Sequence, residues 1–263
     1  MKKLVKILVV MMALLLAVAP ALADSDLDYV KNKGVLVVGI TDFAPMDYKD
    51  DKGDWIGFDA DMAEAFADYL GVKVEFVEIE WSNKILELNG KNIDCVWNGM
   101  TLTDEVKAAM ETSNAYCNNA QIVILPAAKA ADYADVASLA KLNFAVEAGS
   151  AGEKAVADLN YATTPVLSQA DALMEVAAGT SDAAVIDSLM AAAMVGEGTG
   201  YEKLTYTLPL NSEEYGVGFR KGSELAAELN AFMEKAWADG SMLTMAETYK
   251  VQAAVIPQVA EAK

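Results

Sequence analysis

The sequence predicts an α/β protein of two units, each a mostly parallel sheet flanked by helices, with the second unit nested inside the first. Three observations carry this. Strand and helix patterns alternate from residue 35 onward, the alternation breaks at Pro126 and restarts near residue 142, and a final strand and amphipathic helix follow the second set. Strands that alternate with helices make parallel sheets covered on their faces. At 263 residues and 54% hydrophobic, the chain can fill one large core or two small ones.

The elements follow in order. Val35-Leu36-Val37-Val38-Gly39-Ile40 is an apolar run of strand length, and a loop rich in Asp, Lys and Gly occupies residues 41–53. Phe58, Met62, Ala65, Phe66, Tyr69 and Leu70 then recur at helical spacing, with Gly71 as the stop. Residues 72–79 read as a strand, 84–88 as a helix and 93–97 as a strand, and a helix starts after Thr101-Leu102-Thr103. Residues 121–125 form another apolar strand. The second unit reads as strand 142–146, helix 150–159, strand 165–167, helix 170–178, strand 183–186 and helix 188–195. A strand over 215–220 precedes a helix with Leu225, Leu229, Phe232, Met233, Ala236 and Trp237 on one face, and a last helical stretch covers 245–249. Gly196-Glu197-Gly198-Thr199-Gly200 matches neither phosphate-loop spacing and follows a helix, so it reads as a surface turn.

Composition removes whole classes of chemistry. There is no histidine, so histidine-dependent triads, HExxH zinc sites and imidazole proton shuttles are excluded, and no metal site or cofactor is expected. With 39 acidic against 20 basic residues the net charge is −19, which argues against nucleic-acid partners. Arg220 is the sole arginine. Lys2, Lys3 and Lys6, the apolar run 7–19 and Ala21-Leu22-Ala23 form a secretory signal peptide, with cleavage expected after Ala23. Removing it leaves 17 cations against 39 anions, a net charge of −22. Export permits a disulfide between Cys95 and Cys117, although Cys95 reads equally as core packing.

A set of short motifs appears in fixed order: Gly57-Phe58-Asp59, Trp81, Asp94, Gly99-Met100-Thr101-x-Thr103, Gly149-Ser150-x-Gly152, Asp182-Ala183-Ala184-x-x-Asp187 and Tyr215-Gly216-x-x-x-Arg220-Lys221. In this order and spacing the chain resembles the periplasmic amino-acid-binding proteins of ABC uptake systems, family 3 of the bacterial extracellular solute-binding proteins. The resemblance implies a type II periplasmic-binding-protein-like fold, with two lobes joined by two crossing hinge segments near 119–123 and 213–217. Lobe 1 would comprise residues 24–121 and 214–263, and lobe 2 residues 122–213. It further implies a monomeric periplasmic receptor that performs no chemistry, closes over a small polar ligand and delivers it to the permease subunits of an ABC transporter. An enzyme or a ligand-sensing module on the same fold is the alternative of a different class.

By the same resemblance, Phe43 and Trp81 would sandwich a ligand side chain. Asn98, Gly99 and Thr101 would hydrogen-bond a zwitterion, Ser150 and Ala151 would seat a carboxylate at a helix N-terminus, and Asp187 would receive the α-ammonium. Glu147, on the strand end before Gly149, adds a negative charge beside Asp187. The sequence departs from the family pattern at two informative places. Where Thr-x-x-Arg would supply a guanidinium for the ligand carboxylate, Thr103-Asp104-Glu105-Val106 places Val106, and Ala151 replaces a hydroxyl residue. Two ligand readings therefore stand: an amino acid whose carboxylate is held by amides, Thr101, Ser150 and a reoriented Lys84 or Lys107, or a cationic amine or other ligand without a free α-carboxylate.

Overall fold

The computed structural model describes residues 25–259; the signal peptide read over residues 1–23 lies outside them. Its strands are β1 (Val35–Ile40), β2 (Tyr48–Lys49), β3 (Trp55–Ile56), β4 (Lys73–Glu78), β5 (Cys95–Val96), β6 (Glu111–Thr112), β7 (Cys117–Asn119), β8 (Gln121–Pro126), β9 (Asn143–Glu147), β10 (Ala162–Val166), β11 (Ala183–Asp187), β12 (Leu204–Pro209), β13 (Glu213–Tyr215) and β14 (Gly218–Phe219). They form two five-stranded sheets, ordered β4-β1-β5-β14-β6 and β10-β9-β11-β8-β12. In the first sheet four strands run one way and β14 runs against them. In the second, β8 alone is reversed. Each reversed strand is the first that the chain lays down on entering that lobe from the other, so the two lobes repeat one topology.

The crossing segments pair with each other. Strands β7 and β13 make an antiparallel ribbon with Glu213 opposite Asn119 and Tyr215 opposite Cys117. The strand expected over 215–220 is accordingly split: Tyr215 belongs to the ribbon, and Gly218–Phe219 joins the first sheet. Gly216 sits at the break because a Cβ there would stand 2.5 Å from the Leu102 side chain. The C-terminal segment packs beside the ribbon, where Asn118 N donates to Ala254 O at 2.8 Å.

Local signals fix most helix ends. The helix Phe58–Leu70 stops at Gly71, which takes φ 76°, a value that costs glycine little. Thr103 caps the helix Asp104–Ala109 by accepting from Val106 N, and Ser150 caps Ala151–Asp158 by accepting from Glu153 N. Elements absent from the sequence reading include the helix Asp26–Lys33, the β2–β3 hairpin, β6, β7 and the edge strand β12.

Leu36, Val38, Phe58, Phe66, Trp97, Phe219 and Leu229 fill the first lobe, and Val123, Leu125, Phe144, Val146 and Val185 the second. Each such side chain contributes roughly 1.5–3 kcal/mol on burial. A third cluster holds Trp81, Leu88, Met100, Val106 and Met110. Cys95 and Cys117 are both buried free thiols.

Candidate ligand-binding site

A cavity of about 370 Å³ opens between the lobes. Its walls are the loops at the carboxyl ends of strands, where α/β sheets bind ligands. Trp81 and Lys84 follow β4, and Asn98, Gly99 and Thr101 follow β5. Glu147 ends β9, with Ser150 and Ala151 just beyond it, and Asp187 ends β11. All eight of those residues the sequence nominated, other than Phe43, therefore line one space. Phe43 does not. It is 3% exposed and stands edge-on to Tyr215 at 6.4 Å, with its ring against Gly99, so it supports the Gly99 loop from within the core. Hydrogen bonds between the Phe43 and Asp47 backbones hold it there.

The first-lobe wall is braced from behind. Asn98 Oδ1 accepts from Thr41 N at 2.8 Å, and its Nδ2 donates to Thr41 Oγ1 at 2.7 Å. Gly99 N donates to Asp59 Oδ2 at 2.7 Å, and Tyr116 donates its hydroxyl to the same oxygen at 2.7 Å. Burial pushes the Asp59 carboxyl up to about 7 against the opposing effect of these donors. Asp47 is likewise raised by burial and by the charge of Asp59.

The second-lobe wall carries the acids. Asp187 Oδ1 accepts from Tyr215 OH at 2.8 Å and Gln121 Nε2 at 3.0 Å, as well as from Asn119 Nδ2; Oδ2 accepts from Gln169 Nε2. Asn119 and Gln121 also donate to Glu213 Oε1 at 2.7 and 2.8 Å, and Thr101 Oγ1 joins them at 2.8 Å. Two carboxylates thus share amide donors where the hinge strands meet the cavity. Burial, then the charge of Glu213, raises Asp187 to about 7. Glu147 is 4% exposed. Burial first and the charge of Asp187 second push it up to about 8, with Lys84 and the Gln169 amide opposing.

One cation reaches into this wall from the other lobe. Lys84 Nζ donates to Trp81 O at 3.2 Å and across the cleft to Gly149 O at 2.9 Å, 4.7 Å from the Trp81 ring centre. Burial lowers its pKa, while Glu147, Glu105 and Glu153 hold it up. Lys107 does not line this cavity. Val106 does, packed in the apolar cluster of Trp81. Arg220 lies elsewhere: its Nε donates to Asp26 at 2.8 Å, Nη1 to Ile93 O at 2.6 Å and Nη2 to Asp94 at 3.1 Å.

Sequence reasoning missed Gln169, Asn119, Gln121 and Glu213. A buried glutamine just after the helix cap Ser168 carries no pattern that separates it from a solvated one. The pairing of β7 with β13 brings Asn119 and Glu213 together from 94 residues apart.

Residues 36–252 match the bacterial extracellular solute-binding proteins, family 3. The chain belongs to this family. Among family relatives it is 31% identical over 211 residues to a probable histidine-binding protein of Neisseria gonorrhoeae, covering 78% of each chain. It is also 31% identical over 219 residues to the L-arginine-binding protein of Pseudomonas aeruginosa, covering 79% of this chain and 84% of that one. Among solved structures, the ancestral amino acid-binding protein described as a precursor of cyclohexadienyl dehydratase superposes with a TM-score of 0.78 at 32% identity, over 86% of this chain and 99% of the other. These likenesses support the two-lobed fold and favour an amino-acid receptor over the amine-binding alternative.

Proposed function

We propose that this protein is an exported receptor that captures a free amino acid between its lobes and hands it to the permease of an ABC uptake system. The observation that carries the reading is the interlobe cavity itself. Its size lies at the small end of ligand pockets, roughly 300–1,000 Å³. It presents an aromatic face, a cation and two buried acids contributed by both lobes. Ligand that touches both lobes favours the closed state by its differential affinity, and the closed shape is what the permease reads. The receptor acts as a monomer, leaves its ligand unchanged, and reaches the periplasm through a signal peptide cleaved after Ala23. The names of the histidine- and arginine-binding relatives support testing amino acids with nitrogen-rich side chains first.

A thermal-shift panel of the standard amino acids tests the reading. A true ligand at about 100 times its Kd adds roughly 2.7 kcal/mol to stability. No shift from any amino acid overturns it.

A second reading, an enzyme on the same fold, draws on Glu147, whose raised pKa suits a general acid. Product formation from a bound ligand would decide for it; ligand recovered intact decides for the receptor.

A further inference from the structure

Lys84 and Glu147 face one cavity from opposite lobes, 8% and 4% exposed. No ion pair among the described residues includes either of them. Buried charges are ordinarily paired, because desolvation costs several kcal/mol that only a counter-ion and hydrogen bonds offset. Here a buried lysine and a buried carboxyl group, which turns anionic once a cation arrives, influence each other's proton affinity across the cavity without forming an ion pair.

Of the other charges at the cavity, Glu105 is solvent-exposed and the rest are already engaged. Asp187 receives Asn119, Gln121, Gln169 and Tyr215. Lys154 is tied to Asp158 at 2.9 Å, and Glu153 accepts from Gly149 N at 2.7 Å. Lys84 gives two of its three protons to carbonyl oxygens, Trp81 O and Gly149 O, which leaves one donor and a full positive charge for an incoming anion.

We propose that Lys84 receives the carboxylate and Glu147 the ammonium of one zwitterionic ligand, so that each lobe supplies one charge and the ligand completes the pair. This rests on the amino-acid reading above and deepens it. Lys84, reached from the helix Lys84–Asn89, takes over the charge that Val106 cannot provide. A lysine is a point charge without the planar fork of arginine, so the grip fixes charge and leaves carboxylate orientation to neighbouring amides.

The test uses whichever standard amino acid gives the largest thermal shift, together with its α-amide. Both are titrated calorimetrically into the wild type, Lys84→Met and Glu147→Gln. The wild type is expected to bind the amide on the order of 30-fold more weakly than the acid. Lys84→Met should lose a similar factor for the acid and little for the amide, a difference that general damage to the fold would not produce. Glu147→Gln should weaken both, since both carry the ammonium. Wild-type affinity for the acid in Lys84→Met, or equal wild-type affinity for acid and amide, overturns the inference and leaves the receptor reading standing. Failure of every amino acid to bind the wild type overturns both. If Lys84→Met does not fold, the wild-type comparison of acid with amide decides alone.

Discussion

Gly149 and Ser82, in opposite lobes, meet so closely that a Cβ on Gly149 would stand 2.9 Å from the Ser82 Cα. Gly149 also takes φ 73°, and its carbonyl accepts the cross-cleft bond from Lys84. Contact between the lobes is therefore set at a residue without a side chain. Gly149→Ala should hold the lobes apart and weaken ligand binding about tenfold or more, on top of roughly 1–2 kcal/mol of left-handed backbone strain. Calorimetry on the variant and the wild type checks this, and equal affinities would show that closure does not need the contact.

Ligand binding should release a proton. Glu147 is raised to about 8, so at neutral pH without ligand it is mostly protonated. Receiving an ammonium requires the carboxylate, so the proton must leave, and affinity should rise with pH up to about 8. Lys84 opposes the raised value from the first lobe; Asp187 and Asp171 sustain it from the second. Titrations near pH 7 in buffers of different ionisation heat should show close to one proton released per ligand. Buffer-independent heats would contradict the role given to Glu147.

Stability without ligand should fall as pH rises. The folded pKa values of Asp59 and Asp187, about 7, and of Glu147, about 8, all exceed the ordinary carboxyl values of 3.8 and 4.5. The folded state thus binds more protons than the unfolded one. The stability these groups supply is complete below about pH 4 and disappears as pH climbs through about 7 to 8. Scanning calorimetry should find a midpoint several degrees higher near pH 5 than near pH 8, and Asp59→Asn should flatten part of the slope.

Arg220 should matter for stability and not for the ligand. Its guanidinium joins Asp26 at the start of the chain's first described helix to the fully buried Asp94. Lys33 also reaches Asp94, at 2.5 Å, and softens the loss. Arg220→Ala should cost about 2–4 kcal/mol in urea unfolding, with ligand affinity unchanged in the folded protein.

How much of this was legible follows physical lines. Strand β1 is an apolar run of strand length, and the helix Phe58–Leu70 carries a helical period and a glycine stop, so their limits could be read directly. The helix Asp26–Lys33 has one buried residue, Val30, and β12 lies at a sheet edge, so neither offers a core-facing pattern to read. Motif order located the loops around the cavity. It could not show that Phe43 turns inward against Tyr215, because an aromatic residue near a site packs equally well into the core. Nor could the sequence choose between Lys84 and Lys107: only the second lobe, meeting Lys84 at Gly149 O, separates the two.

The proposed receptor holds one amino acid in the interlobe cavity against Trp81. The most direct test is calorimetric titration of the best amino acid from the thermal panel into the wild type and Trp81→Ala. The wild type should bind one equivalent, with affinity reduced on the order of tenfold or more in Trp81→Ala. Undiminished binding to Trp81→Ala would contradict that placement.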